Sequence, residues 1–114
     1  MNIENFLEKL RVQPEVIDFN VVMALIDNNY TFTPSAFKNG DLQNQKDENN
    51  GSCKLFYFAK LQDLTKDETL ACFGAYYRDD VLNNPESDNH QNIRNFMQYG
   101  WQGIQFDNNA LLEK

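Results

Sequence analysis

The sequence predicts a predominantly helical α+β domain of about five helices with a small two- or three-stranded antiparallel sheet. Three observations carry that expectation. Apolar residues recur at helical spacing from Ile3 onward. Two four-residue boxes, Thr65 to Glu68 and Asp88 to Gln91, carry the residue types that open helices. Asn39-Gly40, set between β-prone residues, is a hairpin signal.

The first helix rests on Ile3, Phe6, Leu7 and Leu10, one apolar face at i, i+3, i+4 and i+7, with Asn2 as its cap. Pro14 suits the first position of a second helix, where its missing N–H costs nothing. That helix is expected to run to about Asn28. Its apolar residues, from Val16 to Ile26, cover most of the circumference, which marks it as the central helix.

From Tyr30 the pattern turns to strand. Thr31-Phe32-Thr33 is β-prone, and Pro34 marks an edge or bend. A two-residue turn at Asn39-Gly40 pairs Lys38 with Asp41 and Phe37 with Leu42. Residues 43–51 are polar throughout and read as a loop.

A third helix is expected from about Ser52, which caps it, with Cys53, Leu55, Phe56, Phe58, Ala59 and Leu61 as its apolar residues. The box at Thr65 opens a fourth helix with a stripe at Leu70, Phe73, Gly74, Tyr77 and Val81. Glycine inside a helix costs about 1 kcal/mol relative to alanine, so Gly74 predicts close approach of another backbone. Asn83-Asn84-Pro85 ends that helix. Asp88 opens a fifth, with Ile93, Phe96 and Met97 inward and Gly100 as its stop. Trp101 to Phe106 reads as a short strand joining the hairpin, and 107–114 as a frayed tail.

The chain has 114 residues, 41% of them hydrophobic and nine of them Phe, which is material for one core in a single domain. Its net charge is −7, from 10 Lys and Arg against 17 Asp and Glu, and the basic residues stand singly. Binding to nucleic acid or to an anionic membrane needs clustered positive charge, so neither partner is expected. No apolar run approaches the roughly 18 residues of a membrane span. The N-terminus lacks a basic and an apolar signal-peptide region, and Cys53 and Cys72 read as reduced thiols, so a cytoplasmic protein is expected. One histidine and no Cys-x-x-Cys leave no common zinc pattern, and no cofactor motif is present.

Chemistry concentrates at two helix starts. At Asn50-Gly51-Ser52-Cys53, unpaired N–H groups and the positive end of the dipole favour either a thiolate at Cys53 or a bound anion. His90 and Asn92 follow in the Cys, His, Asn order of a thiol hydrolase, which makes Cys53 and His90 candidate catalytic residues. On the fifth helix Arg94 lies four residues beyond His90, on the same face. His90, Arg94 and either Tyr77 or Arg78 could line a polar cleft; alternatively Arg94 pairs with Asp79 or Asp80 and ties two helices together. Asn50, Ser52, His90 and Arg94 are the candidate ligand-binding set, for a protein partner or a small anionic ligand. They share one site only if the two helix starts converge.

Asn49-Asn50-Gly51-Ser52-Cys53-Lys54, the run from Thr69 to Asp79, Asn92-Ile93-Arg94-Asn95-Phe96-Met97 and Gly100-Trp101 together resemble the HopJ family of type III secreted effectors. Phe32-Thr33-Pro34 and Phe37-Lys38-Asn39-Gly40 extend the resemblance over nearly the whole chain. It implies a small single-domain bacterial protein of a family associated with injection into plant cells, and it transfers no catalytic residue or substrate. The expected function is a non-enzymatic binding domain. The alternatives are an injected effector acting on a host protein, for which helical periodicity from Ile3 leaves no room for a disordered leader, and a thiol hydrolase.

Overall fold

In the computed structural model, which describes residues 2–114, the chain runs in the order α1 (Ile3–Val12), a 3-10 turn (Pro14–Val16), α2 (Phe19–Asn29), β1 (Tyr30–Phe32), β2 (Phe37–Asn39), β3 (Leu42–Asn44), α3 (Asn50–Leu61), α4 (Lys66–Ala71), a π-helical turn (Tyr76–Val81), α5 (Gln91–Tyr99), a second 3-10 turn (Gly100–Gly103), β4 (Ile104–Phe106) and β5 (Leu111–Glu113). It is a mainly helical α+β fold with two small antiparallel sheets, one ordered β3-β2-β4 and one pairing β1 with β5.

Local signals act where they stand in the sequence. Asn2 accepts from the Asn5 N–H at 2.7 Å and caps α1. Thr65 and Glu68 form the reciprocal box, Glu68 N–H to Thr65 Oγ1 at 3.1 Å and Thr65 N–H to Glu68 Oε1 at 2.9 Å. Gly100 ends α5 at φ +63°.

The central helix is α3, not α2. On an α-helix, residues two apart point about 200° away from each other. Phe56 packs on Phe37, Phe73 and Phe96, while Phe58 packs on Phe6 and Tyr30. Both sides of α3 are therefore core, and Leu55 through Ala59 are all buried. Burying a Phe side chain contributes about 1.5–3 kcal/mol, so this crossing of aromatic rings dominates the core. In contrast, α2 buries only Val22, Leu25 and Ile26, and Val21 is 45% exposed.

The second and fourth helices are each shorter than their periodicity suggests, for one shared reason. Gly74 adopts φ +62°, which ends α4's helical run, and a Cβ there would lie 2.9 Å from Phe19 N, 3.2 Å from Ile17 O and 3.4 Å from Asp18 Cα. The anticipated backbone approach is real, and the partner is the break between Pro14–Val16 and α2. Asp18 restarts the helix by accepting from the Asn20 N–H at 2.8 Å. Arg78 holds the break open by donating to Ile17 O at 2.7 Å and Pro14 O at 3.2 Å.

The hairpin forms one residue later than Asn39-Gly40 suggests. Gly40 and Asp41 make the turn, positive φ falls on Gly40 and not on Asp41, and the pairs are Asn39 with Leu42, Lys38 with Gln43 and Phe37 with Asn44. A turn with glycine at its first central position is of the II′ kind. β2 alternates buried, exposed, buried, so Asn39, now inside the strand, points inward on the same face as Phe37. β4 does join the hairpin, Ile104 pairing with Asn39 and Phe106 with Phe37.

The tail is not frayed. Leu111–Glu113 pairs with Tyr30–Phe32, and Ala110 and Leu111 are buried. Two apolar side chains entering the core, together with a strand ladder, outweigh the polar Asn108-Asn109 that precedes them.

Candidate functional site

The two helix starts do converge, and a buried asparagine brings them together. Asn44 Oδ1 accepts from Asn49 Nδ2 at 2.7 Å and from Asn92 Nδ2 at 3.0 Å. Asn49 is the residue before α3, and Asn92 lies in the first turn of α5. Asn44 Nδ2 returns a bond to Asn92 Oδ1 at 3.0 Å. Asn39 adds to the same group, donating to Asn92 O at 2.8 Å and to Asn92 Oδ1 at 3.0 Å. Asn39, Asn44 and Asn92 are all buried. A buried amide group without a partner costs about 1–3 kcal/mol, so the reciprocal bonding of Asn44 and Asn92 fixes that pair, while Asn39 is held through Nδ2 alone and its Oδ1 has no partner among the described residues.

The two helices also begin alike. Asn49 stands at φ 52°, ψ 49° and His90 at φ 51°, ψ 48°, both left-handed, and neither offers a side-chain cap. Asn and His are among the non-glycine residues that enter this region most readily. Because neither cap supplies a side-chain acceptor, the N–H groups of Asn50, Gly51 and Ser52 in α3 and of Gln91 and Asn92 in α5 remain available, while the Ile93 N–H donates to His90 O at 3.0 Å. Between the helix starts lies a recess of about 510 Å³, lined on these ends by Asn49, Gly51, Ser52, His90, Gln91 and Asn92. Its apolar wall comes from Phe19, Leu42, Phe73, Tyr76 and Ile93. The lining holds no Asp or Glu in a chain of net charge −7.

His90 is the residue at which α5 is capped, rather than part of its first turn, and the box expected from Asp88 is replaced by Gln91 donating to Asp88 O. Its Nε2 meets Asp80 Oδ2 at 3.1 Å, and its ring lies 5.3 Å from that of Tyr76. The carboxylate holds the imidazole at the rim of the recess.

Of the candidate residues, Ser52 and His90 share the recess; Asn50, Arg94 and Cys53 lie outside it. Helix α3 starts at Asn50, so Ser52 faces the recess from within the first turn and does not cap. Arg94 neither lines the cleft nor pairs with Asp79 or Asp80. It braces the loop before α5 by donating to Asn89 O at 2.6 Å, Asn89 Oδ1 at 2.8 Å and Pro85 O at 3.3 Å. Nor do Tyr77 and Arg78 complete a cleft with His90, since Arg78 is committed to the α2 break.

Cys53 is 0% exposed and turned toward Ser35 O at 3.7 Å. Burial raises its pKa, the reverse of what a thiolate nucleophile needs. The thiol-hydrolase alternative fails on that geometry. Cys72 is pushed further, from the ordinary 9.0 to about 12, first by burial and then by the Glu68 carboxylate. Its thiol keeps its proton in the folded chain through the range where the unfolded chain releases one. The folded state then binds more protons, and stability falls as pH rises from about 9 towards 12. Denaturant titrations across that range should show the decline, and Cys72→Ala should flatten it. Some slope should remain, because Tyr30 and Tyr77 are raised in the same sense by burial.

The asparagine group had no sequence signal of its own, since Asn39, Asn44 and Asn49 read singly as turn or loop residues and Asn92 as a residue of the fifth helix. Among the described residues no cluster of three or more His, Cys, Asp or Glu side chains is placed to hold a metal ion, and no helix is long and apolar enough to cross a membrane.

Comparison with known proteins adds the following. A family described as HopJ type III effector protein matches residues 3–111. A crystal structure of a protein of unknown function, VPA0580, is 56% identical, with a TM-score of 0.98 over 100% of this chain and 95% of that one. No curated protein matches.

Proposed function

This chain belongs to the HopJ type III effector protein family, and from that premise we propose that it is a non-enzymatic binding domain whose recess takes a small ligand with an anionic group and an apolar body. The supporting observation is the junction at Asn44, which sets two uncapped helix N-termini on one recess. Such ends carry about half a positive charge each and offer N–H donors to a carboxylate or phosphate. Phe19, Phe73 and Tyr76 supply the wall for the ligand's apolar part, and no Asp or Glu is among the lining residues. His90 stands at the mouth, with its Nε2 engaged by Asp80.

Titration with inorganic phosphate and simple aryl carboxylates, followed by amide NMR shifts, tests this reading. Saturable shifts should concentrate at Gly51, Ser52, Gln91 and Asn92; shifts spread evenly over the surface would remove it. Ser52→Glu should weaken binding by about tenfold or more, by placing a like charge in the recess. It should not lower the melting temperature, because a carboxylate in the first turn of α3 suits the helix dipole. Arg94→Ala is the internal control. It should loosen the loop before α5 and leave binding unchanged.

The family's description supports a second reading, in which the same domain is exported and binds a protein of the host. A reporter fused behind the first few dozen residues should then leave the cell through a type III apparatus; retention of the reporter counts against it.

A further inference from the structure

The chain contains two Asn-Gly pairs, Asn39-Gly40 and Asn50-Gly51, and the fold gives them opposite chemical fates. We infer that Asn50 is a site of self-modification in the folded protein, deamidating to aspartate and isoaspartate, and that Asn39 is protected.

The reaction needs the main-chain nitrogen of the following residue to reach the asparagine carboxamide. Gly51 N bonds to Asn50 Cγ, and the Cγ–Nδ2 bond breaks. The nitrogen's proton leaves with Nδ2 as ammonia, and a five-membered cyclic imide remains. Water then opens the ring at either carbonyl, giving aspartate or isoaspartate at position 50. Glycine favours the step because it carries no Cβ to obstruct the approach.

At Asn39 every participant is held. The carboxamide Nδ2 donates to Asn92 O and Asn92 Oδ1, the Gly40 N–H donates to Gly103 O at 2.9 Å, and β2 is laddered on both sides. Attack there requires the sheet to open. At Asn50 nothing comparable acts. Its side chain is half-buried and makes no hydrogen bond among the described residues, and the Gly51 N–H stands in a first turn, where no intrahelical acceptor reaches it. The residue before it, Asn49, is left-handed and gives no side-chain cap, so no cap oxygen engages the Gly51 N–H either.

The product matters for the recess, and this consequence rests on the binding reading above. A carboxylate at position 50 stands beside Gly51 and Ser52 and competes with an external anion for the positive end of α3. Conversion of Asn50 therefore lowers the affinity of the recess for anions.

Peptide mapping by mass spectrometry, on protein held in mildly alkaline buffer with and without denaturant, tests the chemistry. In the folded protein, conversion at Asn50 should exceed that at Asn39 by about tenfold or more, since Asn39 reacts only through local unfolding. In denaturant the two rates should approach each other. Equal native rates, or an inert Asn50, overturn the inference. Phosphate titration of Asn50→Asp tests the consequence: affinity should fall several-fold from that of the unmodified chain, and an unchanged affinity overturns the link to the recess. Should the unmodified chain bind no phosphate or carboxylate, the recess reading fails, and the mapping alone decides the modification.

Discussion

Gly74→Ala should destabilise the protein by about 2–5 kcal/mol, the sum of a left-handed non-glycine residue and an overpacked contact. At φ +62° any L side chain is strained, and the new Cβ would sit 2.9 Å from Phe19 N and 3.2 Å from Ile17 O. Both opposing atoms are backbone at the break between two helices, and Arg78 fixes that backbone through Ile17 O. Neither side can yield without parting α4 from α2. For a chain of this size the loss corresponds to a fall of about 10–20 °C in melting temperature. Gly100→Ala gives a conformational loss without crowding. Gly100 stands at φ +63°, ψ −156°, a region that glycine alone adopts readily, but a Cβ there meets only Lys66 Cδ at 3.7 Å. It should cost about 1–3 kcal/mol, with no overpacking added. A Gly74→Ala loss below about 2 kcal/mol would show that crowding against α2 contributes little.

That glycine also shows where sequence reasoning reaches and where it stops. A glycine inside an apolar stripe announces a close approach, because no other reason for it is local. What it approaches is a backbone more than fifty residues earlier, and the left-handed φ that divides the helix is set by that partner. Thr65 and Glu68 were legible in full because each partner lies within one turn of the other. The hairpin's existence was legible, and its register was not. Asn39 is a good turn residue on local grounds, but its carboxamide is claimed by Asn92, 53 positions away, and that bond moves the turn to Gly40-Asp41. The central helix was misplaced because continuous apolar runs occur in both α2 and α3. Only the rings that meet Phe56 and Phe58 from opposite sides distinguish them. For the site, the two helix starts were visible as polar concentrations, and Ser52 and His90 do face one space. The asparagines that bring them there were not visible, since a buried Asn has the same sequence appearance as an exposed one.

The largest effect on the recess should follow from Asn44. Asn44→Leu keeps roughly the volume and removes two donated and two accepted bonds, to Phe37, Asn49 and Asn92. The Asn92 carboxamide Nδ2 is left buried without its acceptor, and the expected cost is about 2–4 kcal/mol. Adding Asn92→Leu should return part of that loss, because removing both partners leaves fewer unpaired groups than removing one. The double-mutant cycle should report a coupling of about 1–2 kcal/mol. Binding should behave differently from stability. With Asn44 gone nothing ties the residue before α3 to the first turn of α5, so both the single and the double variant should lose phosphate shifts at Gly51, Ser52, Gln91 and Asn92. Gly100→Ala, whose new Cβ meets only Lys66 Cδ and no residue of the recess lining, should keep them despite its own loss of stability. If the Asn44 variants still bind, the recess does not depend on the alignment of the two helix ends, and its affinity must come from one end alone.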